Sequence, residues 1–390
     1  MEAKNLKELL SQLPAIRDAA MGLSDMILAN LVMLGEIPAP TFGEEARIGL
    51  LQQRFSECGL QNSSSDEAGN GLGILPGTEE EENILVVAHA DTLFPETVDH
   101  NITLHANRAI GPGIADNSLA LAVLASLPTL LEHLDIRLRS NLILMGASRS
   151  LGRGNLEGLR FFLSNNKLPI RAGVCVEGVH LGRLSFSSVG MVRGEITCTV
   201  PKEYDWSRFG DTSAILTINE VINKIAKIRL PKKPRSNILL GSLMSGISFD
   251  TPINQAVLRF EIRSEARDIV RDATRQIEDI VAEISALPDA DVKLDIIARR
   301  RPIGIGFTHP LPRVGRRIQK KLGIAPKVGP SMSELSALIN HKIPAITIGL
   351  TSGEQLHEED ETIFIEPLYI GIAQLVGILL AIDGGLCDED

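Results

Sequence analysis

The run NILVVAHAD, residues 83–91, decides how the rest of the chain is read. Its apolar residues are consecutive and do not alternate with polar ones, as in a strand buried on both faces inside a parallel sheet. Similar runs recur as NLILMGA from Asn141, AGVCVEG from Ala172 and IPAITIGL from Ile343. Helical segments separate them. The clearest is NSLALAVLASLPTLLEHL from Asn117, with apolar residues at helical spacing behind an Asn-Ser start signal; Pro128 is expected to kink it or end it early. Strands alternating with helices predict an α/β domain, a mostly parallel sheet flanked by helices.

Between residues 191 and 301 the pattern changes to strand (MVRGEITCTV), helix (TSAILTINEVINKIAKI), strand (NILLGSLMSGISF), strand (QAVLRFEIRS), helix (EARDIVRDATRQIEDIVAEISAL) and strand (VKLDIIARR). That β-α-β-β-α-β order is ferredoxin-like. It predicts an α+β lid inserted into the larger domain, whose two parts are residues 1–190 and 302–390. A chain of 390 residues is long enough for two such cores.

The formal charge of -10 argues against nucleic acid or an anionic membrane as the main partner. Cys58, Cys175, Cys198 and Cys387 are far apart, form no C-x-x-C pair and suggest reduced thiols. The first residues read as an amphipathic helix and not as a signal peptide, and no apolar run is expected to span a membrane, so a cytoplasmic location is expected.

In an open parallel sheet, ligands bind beyond the carboxyl ends of the strands. The first run delivers His89, with Asp91 two residues on. Asp116 lies in the glycine-rich loop GPGIADNS, AGVCVEG ends at Glu177, and the segment after IPAITIGL reaches His357. Each alone has an ordinary reading: a hydrogen-bonded histidine, a helix cap, an exposed acid. Together, imidazole and carboxylate on adjacent loops form the donor set zinc prefers, with Asp91 placed to orient His89.

These pieces, together with GRGNLEGLRFF, FEIRS and the closing HEEDETIFIEPLYIG, resemble the dinuclear zinc exopeptidases and amidohydrolases that include aminoacylase, carboxypeptidase G and peptidase T. The resemblance spans nearly the whole chain. It implies one metal held by His89, Asp116 and Glu177, and a second shared by Asp116 and completed by His357 and the second of two consecutive glutamates. The first glutamate of that pair is the general base. The resemblance also implies a cis peptide after Asp116.

At the place of the two glutamates the chain reads Ser148-Arg149. A seryl hydroxyl is a poor base near neutral pH, and a guanidinium cannot ligate a cation. Two placements are open for Arg149: in the position of the second metal, paired with Asp116, or turned to solvent with one zinc or none in the site. By resemblance Tyr204 replaces a histidine presented across a dimer, Asp250 replaces an asparagine, Arg263 contacts a substrate carboxylate, and Glu334 stands where an aspartate is usual. Glu157 and Glu358 are the acids to consider as substitute bases.

The expected function is therefore that of a zinc metallopeptidase or amidohydrolase whose hydrolysis of peptides or N-acyl amino acids is weak or lost, holding at most one zinc. The alternative is a non-catalytic homodimer that binds a peptide or amino-acid derivative, or serves only as an interaction protein. A third reading takes GASRS, residues 146–150, as a near miss of the G-x-S-x-G turn of serine hydrolases.

Overall fold

The computed structural model describes residues 2–79, 82–200, 213–246, 253–287 and 290–389. Two compact units emerge, Met1–Ser187 with Gly304–Asp390, and Ser188–Ile303.

The first unit contains an eight-stranded sheet. In chain order its strands are β1 (Gln61–Ser65), β2 (Gly71–Leu75), β3 (Asn83–His89), β4 (Asn141–Ala147), β5 (Ile170–Glu177), β6 (Arg183–Ser185), β7 (Lys327–Val328) and β8 (Ala345–Gly349). Across the sheet the order is β1-β2-β4-β3-β5-β8-β6-β7. The central strands β4, β3, β5 and β8 are parallel, while β1, β2 and β6 join by antiparallel pairings. The sheet is thus mixed with a parallel centre. Every residue of β3 is buried, which is why its sequence shows no alternation.

Register brings the carboxyl ends of the central strands level. His89 lies opposite Ala147, and Glu177 lies opposite Gly349. The turn after β4 therefore leaves the sheet at the edge that carries His89 and Glu177.

Of the two outcomes expected at Pro128, the early end does not occur: the helix runs through it, Leu119–His133. Nearly all its side chains are buried, so packing outweighs the one backbone hydrogen bond that proline removes. A second correction concerns hydropathy. Among the described residues, Ile114–His133 and Glu366–Asp383 are long and apolar enough to cross a membrane, and a third segment qualifies if the bent pair Asn5–Gly22 and Ser24–Gly35 counts as one. In the first two, 89% and 78% of the apolar window is buried inside the fold, which accounts for their composition.

The second unit is ferredoxin-like. Its strands Ser236–Ser245, Gln255–Ser264, Gly190–Thr199 and Asp291–Arg300 lie side by side in that order, all antiparallel. The helices Ala214–Ile225 and Arg267–Ser285 complete it, the latter burying Val270, Ala273, Ile277, Val281 and Ile284 along one stripe. Ser236–Ser245 is an edge strand with no charged residue, and it exposes Leu239, Leu243 and Met244.

Candidate metal centre

His89 ends β3, and its ring is held on both sides. Nδ1 lies 2.9 Å from the Asp91 carbonyl oxygen and 3.4 Å from Asp91 Oδ1, while Nε2 lies 2.9 Å from Asp116 Oδ1. The ring is buried, as is Asp91. Asp91 thus orients the imidazole chiefly through its backbone, and its Oδ2 accepts hydrogen bonds from Thr41 Oγ1 at 2.8 Å and from the Leu151 N–H at 2.7 Å.

Asp116 sits in a distorted helical turn, Ile114–Ser118, entered through Gly113 at φ 68. The Asp116–Asn117 peptide is cis, as the resemblance implied. The Asn117 side chain then reaches across to β5, donating to the Val176 carbonyl at 2.9 Å and accepting the Gly178 N–H at 2.8 Å. These two bonds bracket Glu177 and set it beside Asp116. Gly178 is required there, because a Cβ would lie 2.4 Å from the Ala115 carbonyl oxygen.

Donor atoms of His89, Asp116 and Glu177 all fall within 4.8 Å of one another. Two ligands on one zinc, at bond lengths near 2.0–2.1 Å and a tetrahedral angle, stand about 3.3 Å apart. The 2.9 Å between His89 Nε2 and Asp116 Oδ1 is close to that spacing, and Glu177 lies within reach of both.

Asp116 also has a second side. Its Oδ2 lies 3.9 Å from Nδ1 of His357, so the carboxylate stands between two histidines. His357 is exposed and has φ 70. Its loop is tied to that of Asp116 by the buried Glu361, whose Oε1 accepts the His357 N–H at 2.8 Å and Oε2 the Ala115 N–H at 3.0 Å.

As acids and bases the cluster members depend on each other. Burial works against charge on His89, but hydrogen bonds to Asp116 and Asp91 outweigh it and raise its pKa well above the usual value. Burial likewise opposes ionisation of Asp116, and the His89 hydrogen bond overcomes it, so that carboxyl is held below its usual pKa. Glu177, buried with less compensation from Arg183, is pushed up to about 7. Two neighbouring carboxyls are therefore driven in opposite directions.

The turn after β4 differs from the sequence expectation. Ser148 is buried, and its hydroxyl bonds to the Ala68–Asn70 loop. Its Oγ donates to the Ala68 carbonyl at 2.7 Å, and its backbone N–H to Asn70 Oδ1 at 3.0 Å. It is buried and has no histidine partner among the described residues, which argues against the serine-hydrolase reading and against Ser148 acting as a base.

Arg149 also points elsewhere. Its φ of 51 reverses the chain direction, its Nη1 pairs with Glu157 Oε1 at 2.6 Å, and its guanidinium lies over the Phe42 ring at 5.7 Å. It does not pair with Asp116, so it is not the cation of a second metal position. Glu157 is correspondingly committed to Arg149. Buried acids anchor the turn itself: Glu44 Oε1 accepts the Arg149 N–H at 2.7 Å, alongside the bond from Leu151 to Asp91. Ser150 is buried with its hydroxyl unpartnered.

The cation that does stand beside the cluster is Arg183, on β6, with Nη1 3.8 Å from Glu177 Oε1. Sequence reasoning missed it, along with three residues that build the site: Asn117, Glu361 and the fully buried Arg47. Arg47 donates to the Ala90 carbonyl at 3.1 Å and to Ser118 Oγ at 3.2 Å, tying the His89 and Asp116 loops together. Glu334 is buried, and its Oε1 has no partner; its negative charge favours protonation of both His89 and Glu177. Arg263, in the second unit, contacts Glu261. Tyr204 and Asp250 lie outside the described residues.

No protein-family model matches the chain, and no curated protein does. Solved structures do. The dipeptidase Dug1p of Saccharomyces cerevisiae superposes with a TM-score of 0.77 over 95% of this chain and 98% of its own, at 12% identity. Human carnosine dipeptidase 1 gives 0.76 over 96% and 99%, at 11% identity. The Bacillus subtilis YXEP protein, described as a dinuclear metal binding peptidase of the M20 family, gives 0.60 over 93% and 99%, at 15% identity. The chain thus has the fold of the M20 metallopeptidases, with their separate lid domain.

Proposed function

We propose that this protein is a metallopeptidase-like or amidohydrolase-like protein built around a single zinc, held by His89, Asp116 and Glu177, with conventional hydrolysis of peptides or N-acyl amino acids weak or lost. The observation that carries this reading is the convergence of those three donors beside a turn that offers no acid. Zinc in such a set supplies Lewis acidity toward a carbonyl oxygen.

The chain's own residues do the rest. Asp91 and Asn117 fix the directions of His89 and Glu177, and Asp116 keeps a negative charge between two imidazoles. Ser148 is bonded inward and Arg149 to Glu157, so neither takes a proton from a nucleophile at the cluster. A missing positioned base costs on the order of 10² to 10⁴ in rate.

A non-catalytic homodimer that binds a peptide or amino-acid derivative is the second reading. It is favoured by the uncharged, partly apolar edge strand Ser236–Ser245, which offers unpaired backbone groups to a second copy. The four free cysteines support a cytoplasmic location.

Metal analysis of the purified protein tests the first reading. The expected content is about one zinc per chain, lost in His89→Ala and in Glu177→Gln. Two tightly bound ions, or none at micromolar free zinc, would refute it. Release of amino acids from a dipeptide panel then separates a weak hydrolase from a binding protein.

A further inference from the structure

Arg183 is held on several sides and fully bonded on none. Nη1 is 3.8 Å from Glu177 Oε1, Nη2 is 3.4 Å from Ser331 Oγ, and Nε is 3.5 Å from Ser185 Oγ. A guanidinium that meets its intended partner does so at about 2.7–2.9 Å, usually through two parallel bonds. Its side chain retains 25% exposure, so the unused donors remain reachable. Ser331 is itself fixed, with Oγ 2.7 Å from Ser333 Oγ, which lies 3.1 Å from Thr347 Oγ1.

The neighbours are basic. Lys327 on β7 is the in-register partner of Arg183 on β6 in a parallel pairing, so both side chains leave the same face of the sheet. Like charges directly opposite each other on adjacent strands are destabilising unless a counter-charge is present. His180 enters the same turn, its carbonyl accepting the Arg183 N–H at 2.8 Å. Burial lowers the His180 pKa, and the charges of Arg183 and Lys327 lower it further, while Asp116 and His357 also influence it. The basic group and the candidate metal centre therefore share one electrostatic neighbourhood. Glu177 is the one acid that pairs with Arg183 among the described residues, and a zinc at Glu177 would leave that guanidinium without its counter-charge.

We propose that Arg183, flanked by Lys327 and His180, is a binding subsite for a ligand's oxyanion group, a carboxylate or a phosphate, seated beside the His89–Asp116–Glu177 cluster. The residues of the subsite all belong to the unit that carries the eight-stranded sheet. It rests on the single-zinc reading in one respect, the release of Arg183 from Glu177.

Isothermal titration of the full-length protein, carrying one equivalent of zinc, compares N-acetylglycine, N-acetylglycinamide and inorganic phosphate. The expected result is binding of N-acetylglycine or phosphate but not of the amide. Binding should weaken at least about tenfold in Arg183→Gln, weaken less in Arg183→Lys, and weaken about threefold in Lys327→Ala. Preference between the two anions identifies the ligand class. Zinc content, measured in parallel on every variant, reads the metal assignment independently: anion binding without zinc leaves the subsite standing and removes the metal reading. Absence of anion binding in the unaltered protein, or binding that survives Arg183→Gln, overturns the proposal.

Discussion

Asn117→Ala tests whether the site is assembled by its backbone. The amide is 1% exposed and makes two bonds, to the Val176 carbonyl at 2.9 Å and from the Gly178 N–H at 2.8 Å. Alanine leaves both groups without this partner. A buried orphan costs about 1–3 kcal/mol. The Gly178 N–H, a single donor, should sit at the upper end of that range, and the Val176 carbonyl, with a second lone pair, at the lower. The expected loss is about 2–4 kcal/mol, a fall in melting temperature of roughly 5–12 °C for a unit of this size. Because the same bonds bracket Glu177, zinc affinity should fall about 10- to 100-fold. Urea unfolding gives the first quantity and competition with a chromophoric chelator the second. Asn70→Ala is the control: Asn70 is also buried and holds Ser148, so its loss should cost comparable stability while zinc affinity changes less than about threefold. Equal zinc losses in both variants, or less than about 1 kcal/mol for Asn117→Ala, would refute the argument that Asn117 places Glu177.

The other predictions concern the turn, the protons and the lid edge. Ser148→Glu should destabilise by about 3 kcal/mol or more and recruit no second metal, since it would drive a carboxylate against the Ala68 carbonyl and Asn70 Oδ1; thermal melts and metal analysis check both. Arg149→Ala removes a half-exposed ion pair with Glu157 and should cost less than about 1 kcal/mol, with zinc content unchanged by elemental analysis. Zinc affinity should fall as pH drops from 8 to 6. Glu177 takes up a proton below about 7 and His89 above its ordinary range, so each proton displaced costs up to about tenfold per pH unit, measurable by chelator competition. If Ser236–Ser245 pairs with its copy, a Leu239→Glu, Leu243→Glu variant should shift light-scattering mass from dimer to monomer at micromolar concentration; a monomer before substitution removes the dimer.

Residues whose environment is symmetric were readable from their own letters. β3 is buried on both faces and reads as an unbroken apolar run, and its last residue falls at the sheet edge where β5 also ends, so His89 and Glu177 could be grouped from strand ends and Asp116 from the glycine-rich loop. The turn after β4 could not be read by counting, because the positive φ at Arg149 rotates the side chains out of the order the strand would continue. Ser148, which precedes that φ and is expected to face the cluster, is instead bonded to Ala68 and Asn70, partners on a distant loop that counting along the strand does not reveal. Asn117 and Arg47 act by hydrogen bonds to distant main-chain groups, and such partners leave no pattern in the letters of either segment. Arg183 escaped for a related reason: it lies on a three-residue strand that joins β8 antiparallel, so sequence order did not predict its approach to Glu177.

The contact between the first and last helices carries a cost during synthesis. Glu366–Asp383 packs against the amino-terminal helix Glu2–Gly22, where Gly377 approaches Leu13 so closely that a Cβ would lie 2.6 Å from its Cδ2. Nearby, Ser24 and Tyr369 meet across 345 residues of sequence. At about 5–20 residues per second, the early helix waits roughly twenty seconds to a minute on the ribosome for the surface that covers it. A nascent chain in that interval presents one uncovered apolar helix face to whatever is near, so its yield in a cell should depend on chaperone supply more than the finished molecule's stability would suggest.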